Sequence, residues 1–158
     1  MSTLITPHFS KEVCEHSDYA IAHHIPNTIP DNLMPNGIRL CTFMEEIRSF
    51  LSGHYNQEVK IIPSSIYRGP DLNTAIKGQP TSQHMRFEAM DYHTSIGDIE
   101  EVFDLIAESD LEFDQLILEH DSQGHIWLHT SVPNDGVKAR RDILKGEKGK
   151  RLNRIAVS

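Results

Sequence analysis

The sequence predicts an α+β fold, a small antiparallel sheet with flanking helices. Three observations lead there. Leu40, Phe43, Met44, Ile47 and Leu51 recur at three- and four-residue steps, the spacing of one helix face. Two strand-like runs, Phe113 to Glu119 and His125 to Val132, flank His120-Asp121-Ser122-Gln123-Gly124, which reads as a five-residue hairpin loop. Along the chain come helices, strands, a helix, the hairpin and a final helix, an order that favours segregated helices and an antiparallel sheet over alternating βαβ units.

Taken in order, Ser10 caps a first helix running to about His23, where Pro26 and Pro30 end it. The second helix spans Ile38 to Ser52, entered at Asn36-Gly37 and left at Gly53. Glu58 to Tyr67 is rich in β-branched residues and reads as a strand interrupted by Pro63. Gly69-Pro70-Asp71 turns the chain into a short helix through Ile76, since proline suits a first helical position. Glu88 to His93 is a short strand, and Ser95 caps an amphipathic helix with Ile96, Ile99, Phe103 and Ile106 on one face.

Length and charge bound the function. A chain of 158 residues fits one domain with one core, placed at 1–145 with a helical N-terminal part and followed by a basic tail at 146–158. No run nears the roughly 18 apolar residues of a membrane helix, so no membrane partner is expected. The start, Met1 to Glu12, lacks the basic and apolar regions of a signal peptide, which predicts a cytoplasmic protein when synthesised. Cys14 and Cys41 form no CxxC pair and read as small buried residues rather than thiolate ligands or a disulfide. Lys138 to Arg154 carries eight basic and two acidic residues in a chain of net charge −8. It reads as a solvated helix and a loose tail, and without interleaved aromatics it predicts no nucleic-acid partner.

Placement matters more than number among the ten histidines. His8, His16, His23, His24 and His54 sit in polar or helical surroundings and read as surface residues. His84 lies seven residues before Asp91, and an imidazole and a carboxylate are both zinc ligands. On the hairpin strand, one face carries Trp127, His129 and Ser131, so His129 is available as a third ligand. A catalytic zinc needs three protein ligands and one open position. Glu119 ends the paired strand, where a base is wanted beside the attacking water. His125 and Asp121 stand as substitutes for that base, and His93 as a rival ligand or a support for Asp91.

Several segments, in matching order from about Leu4 to Leu144, resemble the zinc D-Ala-D-Ala carboxypeptidase superfamily. This includes VanX-type dipeptidases and phage peptidoglycan peptidases of the Hedgehog/DD-peptidase fold. The segments are His8-Phe9-Ser10, Ser65-Ile66-Tyr67-Arg68 with Leu72-Asn73, Ser82-x-His84 with Ala89 and Asp91, Phe113-Asp114-Gln115-Leu116-Ile117-Leu118-Glu119, and Trp127-Leu128-His129-Thr130-Ser131. They are most similar to the short phage and prophage branch. The resemblance implies zinc held by His84, Asp91 and His129, with Glu119 as base and Arg68 holding substrate or the developing oxyanion. It also implies Arg68, Ser82 and Trp127 as substrate contacts.

Two positions depart from the pattern. Phe87 stands where the family has glycine, and Met90 where a small residue is usual. Phenylalanine tolerates neither a positive φ nor a close backbone approach easily, which predicts a reshaped loop or a narrowed cleft. Other superfamily members carry an acidic base three residues before the last ligand, a position that is Ile126 here. Two readings follow. The first is a zinc metallopeptidase hydrolysing peptidoglycan peptides, as carboxypeptidase or endopeptidase. It would be a monomer or virion component acting on the cell wall after release. The second, favoured by Phe87, is a catalytically impaired, zinc-stabilised virion or interaction domain.

Overall fold

A computed structural model describes residues 2–156. Its central six-stranded sheet has the order β3-β4-β6-β5-β7-β8. These strands are β3 (Ile61–Ser65), β4 (Ala89–Thr94), β5 (Gln115–His120), β6 (Ile126–Ser131), β7 (Asp142–Glu147) and β8 (Asn153–Arg154). All neighbouring pairs are antiparallel except β5 with β7, which are parallel. Beside the sheet lie β1 (Leu4–Thr6) and β2 (Phe9–Ser10), which pair with each other. The helices are α1 (Lys11–Glu15), α2 (Asp18–Ala22), α3 (Met34–Tyr55), α4 (Pro70–Ala75) and α5 (Ile99–Ala107). The α+β expectation holds, with one parallel pair making the larger sheet mixed. No helix is long and apolar enough to cross a membrane.

Side chains alternate across a strand, so each face of the sheet is a separate chemical surface. Met90, Tyr92, Leu116, Leu118, Leu128 and Thr130 share one face, and all are buried. That face packs with the helical core formed by Leu40, Met44, Ile47 and Leu51 of α3 and Phe103 and Ile106 of α5. Fully burying each such aliphatic or aromatic side chain is worth about 1.5–3 kcal/mol. Met90 therefore fills the core and takes no part in the opposite face.

Local chemistry explains where the elements depart from expectation. The first helix is two: Ser10 caps α1 through the amide of Val13, then Ser17 caps α2 through the amide of Ala20, with His16 extended between them. A serine able to accept from a nearby amide competes with helix continuation. Helix α3 begins earlier than Gly37 because Pro35 occupies the first turn, where no amide donor is needed. It ends on Asn56 in the left-handed conformation. Asp98, not Ser95, caps α5. Ser95 instead accepts the Lys60 amide at 2.8 Å and ties the sheet edge together. Pro63 is tolerated because β3 is an edge strand.

The basic segment is neither a helix nor a loose tail, and the boundary expected after residue 145 falls inside β7. Three of its four arginines are tied to the rest of the sheet and helices. Arg141 donates to the carbonyls of Ala107 and Ser109 at 3.0 Å each and also to that of Leu111. Arg154 pairs with Asp142 at 2.6 Å, and Arg140 with Asp114 at 2.8 Å. Cys14 and Cys41 are buried free thiols with their Sγ atoms 4.0 Å apart. The Cys14 contact and burial both raise the Cys41 pKa.

Phe87 does adopt the left-handed conformation, at φ 58°. For a residue with a Cβ this costs roughly 1–2 kcal/mol. Its ring is fully buried, 6.2 Å from the Tyr67 ring, and covers Gly37 on α3. A Cβ on Gly37 would lie 2.0 Å from Phe87 Cε2. Helix propensity alone would have Gly37→Ala stabilise by about 1 kcal/mol. The buried ring should reverse that sign, with urea unfolding showing a loss of about 1–3 kcal/mol. The double variant with Phe87→Leu should recover part of the loss; additive losses would show that the two positions do not touch.

Candidate metal centre

On the face of the sheet turned away from the core, register places Asp91 of β4 opposite His129 of β6, and Ile117 of β5 on the other side of His129. Glu119 and Trp127 face each other two residues further along. The remaining imidazole comes from a 3₁₀ turn, Gln83–Arg86, whose cap is the Ser82 hydroxyl accepting from the His84 amide at 3.2 Å.

The three groups converge. Asp91 Oδ1 lies 2.9 Å from His129 Nδ1 and 3.3 Å from His84 Nε2. One ligand atom from each of His84, Asp91 and His129 falls within 4.8 Å of the others, so the set can hold a metal ion. His84 is oriented from behind: its Nδ1–H donates to the Ile66 carbonyl at 2.6 Å, which leaves Nε2 as the free lone pair. A carbonyl behind a histidine is the usual support of a ligating imidazole. Burial lowers the His84 pKa, which favours the neutral ring that a ligand must be. Burial opposes ionisation of Asp91, but the His84 and His129 imidazoles beside it outweigh that and hold the carboxyl far below its ordinary range. Two imidazoles and a carboxylate, with no fourth donor in the cluster among the described residues, match the donor chemistry of an open zinc site.

Around this cluster opens a cleft of about 630 Å³, lined among others by Arg68, Ser82, His84, Glu119 and His129. Arg68 follows β3, and its amide donates to the His84 carbonyl at 3.1 Å. Its guanidinium reaches Asn73 Oδ1 at 3.4 Å and stands 4.0 Å from Asp91 Oδ2. Gly78 is a required glycine, since a Cβ there would lie 2.0 Å from that same Asn73 oxygen. Burial and then the Asp91 charge raise the pKa of Glu119, against the opposing pull of His129, Lys148 and Arg68. Arg68, Ser82 and Glu119 thus share the cleft with His84 and His129, the two imidazoles that flank Asp91.

Other expected residues are engaged elsewhere. Trp127 is half-buried beside Glu119 but does not line the cleft, and its indole N–H has no partner among the described residues. His93 is exposed and bonds the Ile126 carbonyl at 2.6 Å, so it is no rival ligand. His125 and Asp121 pair with each other at 2.8 Å on the hairpin tip. His8, Phe9 and Ser10 are structural: His8 pairs with Glu45 at 2.7 Å, Phe9 enters the core and Ser10 caps α1. Phe87 lies outside the cleft, so it does not narrow it. The residue that sequence reading left without a role is Asp114. Its carboxylate accepts from Gln83 at 3.0 Å and from the Arg140 amide and side chain at 2.8–3.1 Å, bracing the segment next to His84.

A family model described as Peptidase M15 matches residues 22–127, a stretch that includes His84, Asp91 and Glu119 and stops just short of His129. No curated protein matches the chain.

Burial works against ionisation of Asp114, but its Arg140 and Gln83 hydrogen bonds prevail and lower its pKa. A carboxyl depressed on folding contributes stability above its unfolded value, about 3.9, and loses it as pH falls through the folded value. Asp114→Asn should cost about 2 kcal/mol at pH 7 and less at pH 2. Urea unfolding at both pH values checks this, and an equal loss at each would remove the charge from the account.

Proposed function

The chain belongs to the Peptidase M15 family, and from that premise we propose that it is a zinc-dependent peptidase hydrolysing peptide bonds in peptidoglycan. The observation that carries the reading is the convergence of His84, Asp91 and His129 beside a cleft that His84, His129 and Glu119 line. His84, Asp91 and His129 would hold the ion, which when bound supplies Lewis-acid chemistry toward a peptide carbonyl and the attacking water. Glu119 takes the proton from that water and delivers it to the leaving amine. Its partly desolvated position and the absence of a salt-bridge partner among the described residues leave its oxygens free for the transfer. Arg68, braced by Asn73, offers N–H donors to a substrate carboxylate or to the developing oxyanion. The 3₁₀ turn, fixed by Ser82 and by Gln83 on Asp114, sets the approach of the peptide to His84. On this reading the partner is a wall peptide, reached after release or from within a virion.

Metal content measured beside hydrolysis of purified peptidoglycan tests the reading. We expect about one zinc per chain and release of peptide fragments that a chelator abolishes. Glu119→Gln should keep the zinc and lose about 10²–10⁴ in rate, whereas His129→Ala should lose the zinc itself. Full activity in Glu119→Gln would remove that residue from the mechanism. Zinc with no hydrolysis across several wall types would assign the metal to stability instead.

A further inference from the structure

Part of the cleft wall comes from the β7–β8 hairpin, which lies beyond the family match: Lys148, Lys150 and Leu152 line the same opening as Glu119 and His129. The hairpin is a built wall. The Lys148 amide donates to the His120 carbonyl at 2.8 Å, the Ile155 amide to Ile143 at 2.7 Å, and Gly146 lies so close to Leu152 that a Cβ would meet Cδ2 at 2.8 Å.

Charge along this wall runs against the rest of the molecule. In a protein of net charge −8, the cleft is lined by six lysines and arginines and only two carboxylates, Asp114 and Glu119. Most of the cations are spoken for. Arg86 meets Glu88 at 2.9 Å, Arg140 meets Asp114 at 2.8 Å, Lys150 meets Glu147 at 2.6 Å and Arg68 faces Asp91 at 4.0 Å. Among the described residues, Lys77 and Lys148 have no carboxylate within 4.0 Å. They reach the cleft from different segments, the loop after α4 and the turn between β7 and β8. A concave surface whose cations make no salt bridge concentrates anions, even though Lys148 also acts on Glu119 across the cleft. Ile117, Val137 and Leu152 give it apolar contacts, and no Phe, Tyr or Trp lines it, so bases have nothing to stack on.

We infer that Lys77 and Lys148 make this cleft selective for acidic peptides, those with a free carboxylate away from the scissile bond. The inference rests on the peptidase reading for the ligand being a peptide. It adds a recognition element that the candidate ligands, Glu119 and Arg68 do not provide.

The test uses a short peptide with a glutamate side chain and its glutamine twin. Binding of both is measured by calorimetry on zinc-supplemented Glu119→Gln protein, slowed at least about a hundredfold, and kcat/KM is measured on the wild type. The acidic peptide should bind about fivefold tighter, the upper end for a pair of partly exposed charges, and the preference should shrink with added salt. Lys77→Gln/Lys148→Gln should erase the preference at an unchanged melting temperature, and Lys148→Arg should keep it. Equal binding and equal kcat/KM for the twins would overturn the inference and leave the peptidase reading intact. Retained binding preference with no hydrolysis by the wild type would do the reverse. Displacement of the peptide by poly(glycerol phosphate) at equal charge concentration, with no difference between the twins, would overturn it in favour of an anionic polymer.

Discussion

The cleft depends on a reciprocal pair of hydrogen bonds between two segments that are distant in sequence. His84 Nδ1–H donates to the Ile66 carbonyl, and the Arg68 amide donates back to the His84 carbonyl. A carbonyl can only accept, so the first bond fixes which imidazole nitrogen carries the proton and which stays free. The second places the Arg68 guanidinium on the same side as the Asp91 carboxylate. Bracing continues outward through Gln83 and Asp114 to Arg140, and through Asn73 to Gly78. His84 and Arg68 are thus held by a surrounding set of hydrogen bonds.

What could be read from the sequence follows from periodicity and register. Trp127, His129 and Ser131 share a strand face because strands alternate, and the hairpin loop fixes which residues of the partner strand stand opposite. Periodicity put His129 and Glu119 on one hairpin, and grouping them with His84, Asp91 and Arg68 rested on the order of the matching motifs. What escaped depended on contacts distant in sequence. The β5–β7 pairing is parallel and joins strands separated by β6, so no local turn announces it. The basic composition of Lys138 to Arg154 masked a segment in which Arg140, Arg154 and Arg141 are spent on Asp114, Asp142 and the carbonyls at the end of α5. Serine capping split the first helix, because Ser17 offered its amide acceptor within a run that otherwise looked continuous.

Phe87 shows how an expectation can be right about the backbone and wrong about the consequence. A left-handed residue is required there, and the chain supplies it with a phenylalanine. The strain is set against a buried ring that occupies the space left by Gly37 in α3. The missing side chain has moved, in effect, from one element to another, and the cleft is left open. Neither position can be understood from its own segment.

The pairing of Asp91 with His129 also bears on which strand alignments the chain can tolerate. Shifting β4 by one residue against β6 would turn Asp91 toward the apolar core and bring Tyr92 out beside the histidines. An aligned sheet gathers the three polar groups where they satisfy one another, whereas a slipped one buries a carboxylate among leucines and methionine. The site built for chemistry is in this respect a proofreading device for folding. Any ion bound there would deepen the gap between the correct alignment and its neighbours, because only the native arrangement presents all three donors together.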